Sequence, residues 1–119
     1  MKYDKITILF FFLIISANTL GQTNTNYKVT FVELGSVNCI PCQKMQTVIK
    51  SIEEKFPTKV KVVFYDVWTP EGKPYATTYN IKLIPTQVFL DENGKEFFRH
   101  EGYFEEAEII KLLKNKGVE

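Results

Sequence analysis

The sequence predicts an α/β fold, a single domain in which a central mixed β-sheet is flanked by helices. Three observations carry this. A strand-like run over Thr30–Leu34, a stripe of apolar residues at helical spacing and a second apolar run over Val60–Val67 form a βαβ unit, whose two strands should pair in parallel. Downstream, Gln87–Leu90 and Lys95–His100 flank Asp91-Glu92-Asn93-Gly94, which reads as an antiparallel hairpin. At the joint between the first strand and its helix stands Cys39-Ile40-Pro41-Cys42, holding the only two cysteines of the 119 residues.

The N-terminus is read separately from this domain. Lys2 and Lys5 precede an apolar run from Ile6 to Ile15, and Ser16-Ala17-Asn18-Thr19-Leu20-Gly21 follows. A basic start, a short apolar segment and small residues describe a secretory signal peptide over residues 1–21. The run is shorter than the roughly 20 apolar residues that a membrane span needs, which disfavours the alternative of an uncleaved anchor. No cysteine follows it to carry a lipid. Residues 22–26 are polar and read as a flexible leader, so the domain occupies residues 27–119. Cleavage would remove Lys2, Asp4 and Lys5 from 15 basic and 14 acidic residues and leave no net charge. A neutral domain without a basic stripe gives nucleic acid no electrostatic foothold.

Within the domain, Val29, Phe31 and Val32 are strand formers, and Gly35-Ser36-Val37-Asn38 reads as a tight turn. Met45, Val48, Ile49, Ile52 and Phe56 then define one face of a helix that starts inside the cysteine pair. Pro41 suits its first turn, where the N–H has no intrahelical partner, and Pro57 stops it. The near-continuous apolar run Val60–Val67 reads as a central strand covered on both faces. Trp68–Lys73 is a loop, with Trp68 either lining a groove or packing over a core edge. A short helix runs from Pro74 to Tyr79, and Asn80 can take a left-handed cap. Ile84-Pro85-Thr86 leads into the hairpin, whose Asn93-Gly94 would supply positive φ angles. The closing helix runs from Phe104 to Lys114, with Ile109, Leu112 and Leu113 inward.

Two thiols three residues apart at a helix start lie on one side of its first turn, close enough to close a disulfide without strain. As a staple such a bridge is weak. The chain-entropy estimate gives about 2 kcal/mol, against about 3 kcal/mol for a fifteen-residue loop. Redox chemistry is therefore the expected purpose. His100, the only histidine, reads as a surface or packing residue, because two cysteines and one distant histidine fall short of a four-ligand zinc site.

This order of elements, with Cys-x-Pro-Cys on a helix and Ile-Pro-Thr downstream, resembles thioredoxin from about Tyr27 to the C-terminus. It looks most like the exported thioredoxin-like proteins of bacteria. The resemblance implies the thioredoxin fold. It also implies a protein-disulfide reductase that needs no cofactor, with Cys39 attacking and Cys42 resolving the mixed disulfide. Pro85 matches the family's cis-proline, and Ile84, Pro85, Ile40 and Pro41 match the surface that docks an extended substrate as an added strand. Glu33 stands six residues before Cys39, where thioredoxin carries a buried aspartate. A carboxyl on an apolar strand should ionise late and serve Cys42 as a general base, unless it points to solvent.

The chain departs from the family in several places. Asn38 replaces the usual tryptophan, Phe64 stands where a lysine is common, and Ile40 replaces a glycine. No histidine lies between the cysteines, which favours a reductant over an oxidant. Outside the cytoplasm, recharging would fall to a membrane thiol-transfer protein of the DsbD or CcdA kind, with protein disulfides as clients and the domain acting as a monomer. An oxidase or isomerase on the same site, a binding module with a static bridge, and a metal chaperone are the alternatives.

Overall fold

The structure, a computed structural model, describes residues 26–119. The expected signal peptide over residues 1–21 lies outside the described residues. Seven elements follow in order. They are β1 (Val29–Gly35), α1 (Ile40–Lys55), β2 (Val60–Asp66), α2 (Lys73–Thr78), β3 (Thr86–Leu90), β4 (Glu96–Glu101) and α3 (Glu106–Asn115). The sheet order is β2-β1-β3-β4, with β1 and β2 parallel and the other two pairs antiparallel. This is the mixed sheet of a thioredoxin fold.

Strand alternation sorts the core into two layers. Val29 and Phe31 of β1, Val60 of β2 and Phe89 of β3 face α1 and α3, where Met45, Ile49, Ile52, Ile109 and Leu113 meet them. Val32 and Leu34 of β1 and Val88 of β3 face the opposite way, with Ala76 and Tyr79 from the α2 side. The apolar stripe expected on α1 is the buried one: Met45, Val48, Ile49 and Ile52 all point inward.

Several expectations need correction. β2 is the outermost strand of the described sheet, not a central one, and its side chains beyond Val60 are mostly half-buried. An apolar run reports coverage of a strand's faces and says nothing about its edges. Here α1 and the stacked Tyr75 cover the faces, while only β1 pairs with the strand. In the hairpin only Gly94 takes a positive φ, at 77°. Asp91 accepts the N–H groups of Asn93 and Lys95 on its own Oδ1, so Asn93 is not required to be left-handed. Phe104 precedes α3 and is buried against Phe89 and Phe98. Asn80 does adopt a left-handed conformation, φ 49°, after α2.

The parallel pairing of β1 with β2 and the antiparallel pairing of β1 with β3 bring three chain ends together. The C-terminal ends of β1 and β2 and the N-terminal end of β3 share one edge of the molecule, and α1 begins there. Three substitutions test the packing. Ile52→Ala, at a fully buried position of α1, should lower unfolding free energy by about 2–5 kcal/mol in urea titrations. Lys44→Ala, on the exposed face, should stay within about 0.5 kcal/mol. Gly72→Ala should also destabilise, because a Cβ there would overlap the Asp66 carbonyl oxygen, a backbone atom that cannot swing aside.

Candidate active site

Cys39 is the N-cap of α1, with extended backbone angles of φ −97° and ψ 123°, and Ile40 and Pro41 open the first turn. Its carbonyl receives the N–H of Gln43. Cys39 and Cys42 are joined in a disulfide with a Cα–Cα separation of 5.1 Å, inside the range that needs no backbone strain. The two sulfurs are not equivalent. Cys42 is 1% exposed and Cys39 8%, so Cys39 is the one within reach of another molecule. It is more covered than a position at an open helix end suggested, and it is the neighbouring Ile40, 72% exposed, that projects into solvent.

No acidic residue occupies the first turn of α1. The unpaired N–H groups there therefore act on a Cys39 thiolate without an opposing carboxylate. The loop before the helix is tied down on both sides. Gln43 Nε2 donates to the Val37 carbonyl (2.8 Å), and Asp66 Oδ2 accepts from the Val37 N–H (3.2 Å). Asp66 Oδ1 accepts from the Trp68 N–H (3.0 Å). Partial desolvation pushes the Asp66 carboxyl up, but the N–H groups of Val37 and Trp68 and the Ser36 hydroxyl outweigh it and hold the group below the usual carboxylate range. Asp66 thus straps the cysteine loop to the loop after β2. Sequence reasoning passed over it, although a lone acid closing an apolar run and opening a turn is a usable signal.

Beneath the disulfide the sheet comes close. A Cβ at Gly35 would stand 3.2 Å from Cys42 Sγ and 3.7 Å from Phe64, so glycine is what lets the first turn of α1 settle on the end of β1. Two residues back on the same face is Glu33, wholly buried. Its Oε1 accepts from Gln87 Nε2 at 3.2 Å, and its Oε2 has no partner among the described residues. Burial pushes the carboxyl up from 4.5 to about 8, and the Gln87 hydrogen bond offsets only part of the rise. Glu33 points inward and not to solvent. Phe64 stands directly across from it on β2 and closes the site to water where a lysine would have brought charge.

The Ile84–Pro85 bond is cis. Thr86 pairs with Leu34, so continuing the register by one residue sets Pro85 opposite Gly35, at the level of Cys42. Pro85 is buried, and its carbonyl receives the Gly102 N–H at 2.7 Å. Beside it lies a recess of about 330 Å³ lined by Val67, Trp68, Leu83 and Ile84 together with Lys73 and Lys82. Trp68, 60% exposed, belongs to this recess and does not cap the core. Val37, Ile40 and Leu83 add exposed apolar surface to the same end of the molecule. The four residues expected at a docking surface therefore divide into exposed Ile40 and Pro41 on one side and half-buried Ile84 with buried Pro85 on the other. Among the described residues, no three metal-ligating side chains cluster.

A dithiol at a helix start, above a buried carboxyl and beside a cis-proline on a mixed sheet, defines a thioredoxin-like domain. The profile of the thioredoxin-like domain family matches residues 16–117, and the chain belongs to that family. It is 25% identical over 95 residues to a putative thioredoxin H10 of Arabidopsis thaliana, covering 80% of this chain and 56% of that one. It is 28% identical over 68 residues to thioredoxin-1 of Drosophila melanogaster, covering 57% of this chain and 62% of the relative. The chain thus spans somewhat over half the length of these curated relatives. Among solved structures it is similar to the germline-specific thioredoxin Deadhead of Drosophila melanogaster, with a TM-score of 0.65 and 24% identity over 76% of this chain and 83% of that one. It also resembles a mutant thioredoxin of Halobacterium salinarum, with a TM-score of 0.67 and 23% identity over 77% of each chain.

The buried carboxyl has a measurable consequence. Between pH 4.5 and 8 the folded protein keeps a proton on Glu33 that the unfolded chain has lost. Its stabilisation is complete below pH 4.5 and is lost as the pH rises towards 8, at up to about 1.4 kcal/mol per pH unit. Glu33→Gln removes this slope. From pH 5 to pH 8 the wild type should weaken relative to that variant by on the order of 3 kcal/mol, read from urea unfolding at each pH. Parallel curves would place the carboxyl in contact with solvent.

Proposed function

We propose that this chain is a thiol-disulfide oxidoreductase that reduces disulfides of exported proteins. The observation that carries the reading is the unequal burial of the two sulfurs at the start of α1, within a domain of the thioredoxin-like family. In the reduced enzyme the Cys39 thiolate attacks one sulfur of a client disulfide. A mixed disulfide forms, and the client's other sulfur leaves as a thiolate and takes a proton from water. Cys42 then gives its proton to the Glu33 carboxylate and attacks Cys39 Sγ. That closes the Cys39–Cys42 bridge and releases the second client thiolate. Two electrons pass from the dithiol to the client.

Burial pushes Glu33 up to about 8, far above an ordinary carboxyl, so its carboxylate is a strong enough base to draw on a thiol proton. The apolar surface of Ile40, Trp68, Leu83 and Ile84 suits an extended client segment, and the backbone before Pro85 offers it a strand to join. The absence of a histidine between the cysteines supports the reducing direction, because no imidazolium stabilises the Cys39 thiolate. Export rests on Lys2 and Lys5 followed by the apolar run of residues 6–15. The same reading makes a membrane thiol-transfer protein the electron donor.

The protein should catalyse insulin reduction with dithiothreitol as donor. Cys42→Ala should accumulate covalent adducts through Cys39 that dithiothreitol dissolves, while Cys39→Ala should form none. An inert dithiol in both assays would leave a static bridge. Equilibration with glutathione should give a potential nearer the roughly −270 mV of a reductant than the roughly −120 mV of a strong oxidant. A value at the oxidising end would reverse the direction. Protein recovered from outside the cytoplasm should begin near residue 22 by mass.

A further inference from the structure

One row of side chains crosses the whole sheet on the face that carries α1 and α3. The strand registers set Phe64 of β2 opposite Glu33 of β1, Glu33 opposite Gln87 of β3, and Gln87 opposite His100 of β4. Three of the four are polar, in a layer otherwise filled by Phe31, Phe89, Met45 and Ile109. Hydrogen bonds run along the row. Gln87 Nε2 donates to Glu33 Oε1 at 3.2 Å, and His100 Nδ1 lies 2.9 Å from Gln87 Oε1.

The direction of these bonds follows from what each group can do. An ionised carboxylate only accepts, and an amide has one donating and one accepting end. Gln87 is fully buried, so water cannot stand in for either partner. With its NH2 turned to Glu33, its oxygen must be satisfied by a ring N–H on His100. The ring is held for that task. It stacks on Phe104 with centroids 4.0 Å apart and planes at 12°, and the Phe104 N–H is itself anchored on Met45 Sδ.

We propose that His100 is a positioning residue for Glu33, acting through Gln87. Its ring N–H keeps the Gln87 amide turned so that the NH2, and not the oxygen, meets the carboxyl, and this favours the ionised form that accepts the Cys42 proton. Without that N–H the amide is free to reverse. Its oxygen would then face Glu33, and the carboxyl would keep its own proton in order to donate it.

Other charged groups near the row are spoken for or distant from it. On α1, Lys50 and Glu53 line the outer recess beside Val62 and Phe64, and Lys55 pairs with Glu106 of α3. Glu108 and Lys111 of α3 flank Phe98 and Phe104. Asp66 of β2 is bound by the N–H groups of Val37 and Trp68. Arg99 turns to the opposite layer, to the Tyr79 carbonyl and Glu96, and Glu101 and Glu105 are exposed. Cys42 is held in the disulfide. All of these stay the same across the variants below.

The inference rests on Glu33 as the base for Cys42, yet its test needs no client and no turnover. The carboxyl carbon of Glu33 is titrated by NMR in the full-length, oxidised protein. His100→Phe keeps the stack on Phe104 and deletes the donor, and Gln87→Leu deletes the relay. Each should raise the Glu33 midpoint by about 0.5–1 pH unit, a roughly three- to tenfold loss of carboxylate at a given pH. The double variant should move it no further than Gln87→Leu alone. His100→Asn places an uncharged N–H where Nδ1 stood and should restore the midpoint to within about 0.2 unit, which a purely electrostatic effect of an imidazolium would not. An unchanged midpoint in His100→Phe, or equal shifts in His100→Phe and His100→Asn, would overturn the proposal. The His100→Phe and His100→Asn pair decides the matter even if Gln87→Leu does not fold. Failure of insulin reduction with these shifts intact would count against the reductase reading and not against the relay.

Discussion

The contact between Gly35 and Cys42 is the constraint from which the rest of the site follows. A strand residue without a side chain lets the helix after it settle here without crowding. A Cβ there would press on both Cβ and Sγ of Cys42. Because the first turn of α1 rests on that spot, Cys42 is sealed, Cys39 is left at the margin, and Ile40 is pushed out into solvent. The inequality between the two sulfurs is thus a packing result before it is a chemical one.

Glu33 lies on the face of β1 that α1 covers, two residues from Gly35, and gains a single hydrogen bond for its burial. A fully paired carboxylate would ionise early and could take no proton from a thiol. A half-satisfied one is costly, but it ionises in the range where thiols do. Phe64 stands across from Glu33 on β2, and among the described residues the hydrogen bond to the carboxyl comes along the sheet, from Gln87. The edge of the sheet, where His100 sits half-buried, is thereby connected to its centre.

On the opposite side of the disulfide the molecule is apolar and open. Trp68, Leu83 and Ile84 line a recess beside the cis-proline, and Asp66 ties the Trp68 loop to the cysteine loop by accepting one N–H from each. A buried carboxyl thus lies on one side of the disulfide and an exposed, largely apolar recess on the other.

Much of this was legible in the chain. The apolar spacing of Met45, Val48, Ile49 and Ile52, the proline in the first helical turn, and the Asp-Glu-Asn-Gly turn are local signals, and local physics decides them. So does the cysteine spacing, since three residues along a helix start bring two sulfurs together in any fold. Tertiary pairing decided the remainder. Whether Val60–Val67 was a central or an outer strand depended on which strands lay beside it, and composition carries no record of neighbours. Gln87 and His100 stand thirteen positions apart, and the sequence reads them separately, as the start of a strand and as a surface or packing histidine. Only the antiparallel register of β3 with β4, and of β3 with β1, sets them in line with Glu33. Covalent spacing determined that this chain carries a closable dithiol at a helix start, and the sheet's register decided which buried groups that dithiol would meet, because hydrogen bonds between strands join residues that sequence distance keeps apart.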